Sequence, residues 1–307
     1  MKAKPSAVTV TARQPQAGLR LPSFETRMML PALLLLAAIS LFPFFYIIWM
    51  SFNKVSLIGG ISFEWAGLKN WGRLFTDSQV GASWAISGLY FVATVGIEMV
   101  LGVAIALLLH EIGFGKRLST SLMLMPMFVA PVIVGLLSRF MLDPTYGLYV
   151  WLLNKLGLDA SNILGSTGSA LAAVILVDVW EWTPLIMLIA LAGISAMSPQ
   201  VLEAASIDGA NYVQKLRHMV LPIISGVLAV AFLIRSMDAI RYFDIIWITT
   251  NGGPADATKI IPIRLYETAF RFFDLGYAAA IGLSMLVFSN IVANLFIRFL
   301  KAKGLTR

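Results

Sequence analysis

Six long apolar runs alternate with polar stretches along this chain, at about residues 28–50, 84–109, 118–141, 170–194, 222–248 and 276–300. Each is long enough to cross a hydrocarbon layer of roughly 30 Å as a helix. The pattern therefore predicts an all-α integral membrane protein with six transmembrane helices in one domain, residues 27–300. Residues 1–26 are polar and are expected to be disordered; residues 301–307 form a short tail. The first apolar run is too long for a secretory signal, and no small-residue cleavage site ends it.

Composition agrees with the pattern. The chain is 59% hydrophobic and only 13% charged, too little charge to cover a soluble surface. The net charge of +7 raises nucleic acid as a partner, but no basic cluster alternates with exposed aromatics. The cations gather at the membrane edges instead. Six spans put both termini on one side, and on that side fall 13 Lys and Arg residues against seven in the three opposite loops. The positive-inside rule then places both termini, and the segment around residue 205, in the cytoplasm. No cysteine is present, so disulfides and thiolate metal sites are excluded.

Proline falls in three spans: Pro31 and Pro43 in the first, Pro126 and Pro131 in the third, Pro184 in the fourth. Kinks there suit helices that line a cavity. In the last outer loop, Ile263, Tyr266, Phe270 and Phe273 recur at helical spacing, which predicts a helix lying on the outer membrane surface. No internal repeat is visible, whereas large secondary carriers often show two related halves.

One polar segment is patterned beyond the needs of a connection: EAASIDGANYVQKLRHMVLP, from Glu203 to Pro222. Ser198 is a good N-cap and Pro199 a good first residue for a short helix through about Asp208. Gly209 permits the left-handed turn that ends it. Asn211, with Gln214 three residues on, forms a capping-box pattern for a second short helix ending near Val220, and Pro222 opens the fifth span. The expected product is a compact helix pair with Ala204, Ala205 and Ala210 around its bend, suited either to a groove on another protein or to the headgroup layer.

EAASIDGA followed by LP resembles the EAA loop of binding-protein-dependent ABC import permeases, at Glu203, Ala204, Ala205, Asp208, Gly209, Ala210, Leu221 and Pro222. RYFDIIWITTNGGP (Arg241–Pro254) resembles the signature of sugar permeases, and FEWAGLKNW (Phe63–Trp71) their element after the first span, with Trp71 where tyrosine is usual. Val213 also stands where an aromatic is common. The likeness covers about residues 30–300 and points to carbohydrate permeases of the maltose and glycerol-phosphate type. It implies a type I ABC importer permease whose loop 198–221 is the coupling helix, entering a cleft of a cytoplasmic ATP-binding subunit. It also implies a second homologous permease, two copies of the ATPase, an extracytoplasmic solute-binding protein, a sugar-type substrate and the bacterial inner membrane. ATP and Mg²⁺ are then used by the partner ATPase, and this chain binds no cofactor.

Polar residues inside spans are expensive and face protein or water. Here they are Glu98, Asp178, Glu181, Arg235, Asp238, Arg241 and Asp244. Arg235–Asp238 and Arg241–Asp244 are each three apart and can form local ion pairs. Trp180, Glu181 and Trp182 in the fourth span suit a sugar, since rings stack on its apolar faces and carboxylates accept from its hydroxyls. Neighbouring residues diverge on a helix, so the three do not share one face. Asn290 and Asn294, four apart in the sixth span, do share a face and can bind hydroxyls or knit helices together. The candidate substrate contacts are thus Trp180, Glu181, Trp182, Asp238, Tyr242, Asp244, Asn290 and Asn294.

Absent chemistry narrows the field. His110 and His218 are the only histidines and lie far apart, so no histidine metal site is expected. GFGKR at Gly113–Arg117 lacks the first glycine and the Ser/Thr of a phosphate loop. No serine-hydrolase elbow or zincin motif occurs, so the chain is read as non-catalytic. The rivals are a carrier using Glu98 or Asp178 as a proton relay, an intramembrane enzyme using Asp178 and Glu181, and the same importer with a polyol, sugar phosphate or sugar sulfonate as cargo. In the last case Arg139, Arg235 or Arg241 would attract the anionic head.

Overall fold

A computed structural model describes residues 24–57 and 60–302. The expected disordered segment 1–26 lies outside the described residues except for residues 24–26, and the expected tail 301–307 except for residues 301 and 302, both stretches being helical where described. The chain divides into two units, residues 1–47 and 48–307.

The first unit contributes most of α1 (Phe24–Ser51), a continuous helix despite Pro31 and Pro43. Its stretch Met28–Ser51 is long and apolar enough to cross a membrane.

The second unit begins with an antiparallel hairpin, β1 (Asn53–Ser56) and β2 (Ser62–Trp65), in the register Asn53 opposite Trp65. It was not anticipated from the sequence. The Phe63–Trp71 element turns out to be its fastener. After the hairpin comes α2 (Lys69–Thr76). Asn70 Nδ2 donates to the carbonyls of Ser51 and Asn53, both at 3.0 Å, and Trp71 Nε1 donates to Ser51 Oγ at 3.2 Å.

Next comes α3 (Ser78–Glu111), started by Asp77, whose carboxylate accepts from the backbone N–H of Gln79 and Val80. The third predicted span does not form one helix. It is α4 (Lys116–Leu124), a 3₁₀ turn (Pro126–Phe128) and α5 (Pro131–Met141). Proline supplies no N–H to the helical ladder and drives the preceding residue extended. Accordingly Val129 and Ala130 are extended, and Pro131 restarts the helix at its first position. Among the described residues five helices have the length and composition to cross a membrane, not six.

Beyond α6 (Leu148–Lys155) runs α7 (Thr167–Ser195), which keeps Pro184 within an unbroken helix and packs along α3. The polar segment follows as α8 (Pro199–Ile207) and α9 (Tyr212–Lys215). A π turn at Leu216–Val220 then leads without interruption into α10 (Leu221–Ala239). The expected end near Val220 is therefore absent: Tyr212 to Ala239 is one helical stretch of 28 residues. Pro222 falls in the first turn of α10, directly after the π turn, where the i to i−4 ladder is already interrupted.

The fifth predicted span breaks after Ala239 and resumes as α11 (Asp244–Thr250). No glycine or proline marks that break. A loop follows with Asn251, Ala255 and Asp256 in left-handed conformations and a cis Gly253–Pro254 bond. The outer helix, α12 (Ile261–Tyr266) extended by a π turn to Arg271, lies where the periodicity put it. It does not simply rest on a surface. Ile261, Ile263 and Ala269 are buried, and it packs on α3 and on α13 (Leu275–Ala302), while Phe270 and Phe273 are exposed.

Two of the three apolar clusters in this unit bear on the interior site. One gathers Tyr90, Val174, Val179, Tyr242, Ile245 and Ile263. The other gathers Ala106, Met187, Ile194, Val220 and Ile224. Along α3, Glu98 falls between them.

Candidate functional site

The bend between α8 and α9 is built from paired termini. Gly209 takes φ +78°, and no neighbouring atom lies within 4 Å of where a Cβ would sit, so backbone conformation alone selects glycine there. Gly209 N–H donates to Ser206 O at 3.1 Å and Ala210 N–H to Ala205 O at 2.9 Å. These two bonds make the Schellman closure of α8. Ala205 is buried, which explains a small residue at that place. On the other side of the bend, Asn211 N–H donates to Gln214 Oε1 at 2.8 Å and Gln214 N–H to Asn211 Oδ1 at 2.9 Å, so the anticipated capping box forms. Lys215 Nζ then reaches back to Ser206 Oγ at 2.7 Å and ties the two helices together.

Ser198 holds the N-cap position, but its hydroxyl turns to Gln200 and makes no cap bond to the backbone. Leu202 packs against the second apolar cluster, while Glu203, Ala204, Asp208 and Gly209 are exposed. Ala210 is half-buried. Large apolar side chains also point outward here: Ile207 is 86% exposed, and Tyr212 and Val213 are exposed beside it. The segment is thus a stiff knob with an apolar tip.

The second constellation lies inside the spans and centres on Arg235, which is fully buried. Its Nε donates to Glu98 Oε2 at 2.7 Å and its Nη2 to Glu98 Oε1 at 3.0 Å. Nη2 also bonds Asp178, and Nη1 bonds Asp238 at 3.2 Å. The local Arg235–Asp238 pair expected from spacing is present, but the stronger links run to α3 and α7. Counting about 1.5 Å per residue, Glu98, Asp178 and Arg235 stand roughly 20–25 Å from the Glu111, Ser195 and Leu221 ends of their helices. That is well inside the spans. A lone charge there is costly, so a guanidinium surrounded by carboxylates is the arrangement that low dielectric permits.

Beside this group, Tyr242 O–H donates to Glu181 Oε2 at 2.6 Å, and Trp182 Nε1–H donates to the Tyr242 hydroxyl at 3.1 Å. Both rings lie near Arg235 Cζ, at 5.3 Å for Trp182 and 5.5 Å for Tyr242. The break between α10 and α11 is what lets Tyr242 turn inward to make these bonds. The buried Tyr90 hydroxyl interacts with Asp178, while Glu181 Oε1 is buried with no hydrogen-bond partner among the described residues.

The candidate substrate residues therefore separate. Glu181, Trp182, Asp238 and Tyr242 come together around Arg235. Trp180 diverges from its neighbours, is exposed, and lines an apolar cavity of about 630 Å³ with Leu137, Tyr149 and Leu176. Asp244 is exposed at the start of α11, and no ion pair joins it to Arg241, whose Nε donates to Met237 O at 3.1 Å. Because the helix breaks between them, the helical spacing that would pair Arg241 with Asp244 does not exist. Asn290 and Asn294 share an exposed face of α13, and each amide donates to a carbonyl one turn back, Leu286 O at 2.9 Å and Asn290 O at 2.8 Å. Sequence reasoning found Glu98 and Asp178 as costly charges but not their shared partner 137 and 57 residues away. Tyr90 carried no signal at all.

A helical membrane bundle with a capped, protruding bend and an ion-paired interior defines a transport subunit. Residues 98–303 match the family described as binding-protein-dependent transport system inner membrane component, and the chain belongs to that family. It is 33% identical over 268 residues to the trehalose/maltose transport system permease protein MalF of Thermococcus litoralis, covering 87% of this chain and 89% of that one. It is 31% identical over 298 residues to the trehalose transport system permease protein SugA of Mycobacterium tuberculosis, covering 96% and 94%. Its fold matches a chain from the crystal structure of a bacterial alginate ABC transporter in complex with alginate pentasaccharide-bound periplasmic protein. The TM-score is 0.78 at 19% identity, covering 91% of this chain and 94% of that one.

Proposed function

We propose that this chain is the membrane-embedded, non-catalytic subunit of an ATP-driven importer of a sugar or sugar derivative. In this reading it pairs with a second homologous permease to enclose the path. Two copies of a cytoplasmic ATPase, which use ATP and Mg²⁺, grip the knobs, and an extracytoplasmic binding protein delivers cargo. The importer sits in the bacterial inner membrane with both termini of this chain in the cytoplasm. Family membership and the relatives' sugar cargoes support this assignment.

The observation that carries the mechanism is the closed bend at Gly209 running straight into the Tyr212–Ala239 helix. Glu203, Ala204, Ala205, Asp208, Gly209 and Ala210 form the coupling element. Closure of the ATPase dimer pulls the knobs together and shifts the population toward an outward-facing cavity; hydrolysis resets it. Glu181, Trp182, Asp238 and Tyr242 are the inner set of cargo contacts in this reading, with Trp180, Asp244, Asn290 and Asn294 as outer ones. The proton-relay rival is disfavoured, since Glu98 and Asp178 are both tied to Arg235.

Gly209→Pro tests the assignment, because proline is confined near φ −65° and cannot adopt the bend. The assembled importer should keep the variant in the membrane yet lose cargo-stimulated ATP hydrolysis. Wild-type stimulation would refute the coupling role.

A further inference from the structure

We infer that the loop joining α3 to α4 holds the headgroup of an anionic phospholipid, with Lys116 and Arg117 as its cations and Phe114 and Leu118 seated in the lipid beside it. The site is separate from the coupling and cargo residues of the importer reading, and its test does not depend on them.

Depth places the loop at a membrane surface. At about 1.5 Å per residue, the third crossing from Lys116 to Met141 spans about 40 Å. A bilayer measures about 40–45 Å with its headgroups, so Lys116 and Arg117, the first residues of α4, stand in the headgroup layer. The greater length of α3 is taken up at its other end, where Arg264 of α12 bonds Ser83 and Gln79. Leu109 packs in one cluster with Ile194 and Val220, which puts the loop on the knob's side of the membrane. With the knob in the cytoplasm, that leaflet is the anionic one. The ATPase of the importer reading grips the knob, whereas the depth of Lys116 makes lipid its neighbour.

The side chains suit that layer. Phe114 is wholly exposed and Leu118 is 67% exposed, an apolar pair that water penalises and acyl chains accept. Lys116 is half-buried and Arg117 exposed, and among the described residues neither joins an ion pair. Such side chains lay their stems along apolar surface and keep their charge at the level of the phosphates. Ser119, three residues after Lys116, shares its side of α4 and adds a hydroxyl. Glu111 is the one anion between His110 and Thr120, so the stretch stays net positive. Neither Gly113 nor Gly115 has an atom within 4 Å of where a Cβ would sit, so the loop faces open space there.

The chain has no cysteine, so Gly113→Cys provides a single site for a fluorophore. The full labelled chain is placed in phosphatidylcholine nanodiscs containing a small, equal fraction of phosphatidylglycerol or phosphatidylcholine with a nitroxide near the headgroup. The phosphatidylglycerol quencher should act about fivefold more strongly. Lys116→Gln together with Arg117→Gln should abolish that preference while leaving thermal unfolding unchanged. Phe114→Ser should weaken quenching by both lipids. Equal quenching by the two lipids, or a preference that survives the double substitution, overturns the inference. An emission change when inorganic phosphate is added to nanodiscs of phosphatidylcholine alone marks a site for the free ion and overturns it as well. So does quenching that vanishes when the ATPase subunits are added, which marks the loop as a protein contact.

Discussion

Arg235 on α10 and Glu98 on α3 meet in a two-pronged contact at 2.7 and 3.0 Å, with neither side chain exposed to solvent. Removing one partner of such a pair strands the other charge in low dielectric. Arg235→Leu should therefore destabilise the protein by about 3–5 kcal/mol, because it leaves carboxyls from α3 and α7 without a counterion. Replacing Arg235, Glu98 and Asp178 together by apolar residues of similar volume should restore most of that loss. Thermal unfolding of the purified complex in detergent checks both.

Gly102 marks a close approach of α3 to α7. A Cβ there would stand 2.7 Å from the Ile186 side chain and 2.9 Å from the Met187 backbone nitrogen. The backbone atom cannot swing aside, so Gly102→Ala should destabilise by about 1–3 kcal/mol through overpacking. Gly96, which has open space at the same point, serves as the control helix substitution. Its alanine variant should be neutral or slightly stabilising in the same unfolding assay.

The knob makes a graded prediction. Lys215→Met removes the tie to Ser206, and Asn211→Ala removes the capping box, while both leave Gly209 free to close the bend. Each should weaken the bend by about 1 kcal/mol and lower coupled transport without abolishing it. Hydrogen exchange across residues 205–216, measured alongside ATP hydrolysis, separates loosening from loss of the partner.

In the loop between α11 and α12, the hydrogen bond from Lys259, the largest influence, outweighs burial and, with the lesser help of Arg264, holds the Asp256 carboxyl below the usual aspartate range. A depressed folded-state pKa contributes stability that is fully present above about pH 4 and is lost as pH falls through the lower folded value. Acidification below pH 4 should thus loosen the loop between α11 and α12. Asp256→Asn should be weaker at neutral pH and insensitive to this acid step, as read by hydrogen exchange across residues 251–264.

Glu181→Gln keeps a partner for Tyr242 but removes the charge. It should reduce cargo-dependent stimulation of ATP hydrolysis, with a smaller effect than Glu181→Ala, which also strands the tyrosine hydroxyl. Asn290→Ala should weaken stimulation as well. Unchanged stimulation in all three would remove these residues from the cargo path.

What the sequence revealed follows the range of the forces involved. The bend of the knob was legible, because Gly209, Asn211 and Gln214 act within one or two turns, but its flanks were not: Ser198 makes no cap bond and no helix end falls near Val220. The long helices were legible from length alone. The third span misled because Pro126 and Pro131 were read as kinks, whereas two prolines five residues apart leave too short a ladder between them to continue as an α-helix. The α10–α11 break carried no mark, since the bond it accompanies, from Tyr242 to Glu181, joins residues 61 apart. The hairpin was hidden in the same way: its four-residue strands are held by Asn70 and Trp71, not by their own alternation.

The uninterrupted passage from Tyr212 to Ala239 has a mechanical corollary. In the proposed importer, a torque applied at the knob meets one irregular turn, the π turn at Leu216–Val220, before it reaches the guanidinium that clasps three neighbouring carboxylates. On the proposed reading the chain acts as a crankshaft with one compliant collar, and stiffening or softening that collar would retune how much of each ATPase stroke arrives at the cargo.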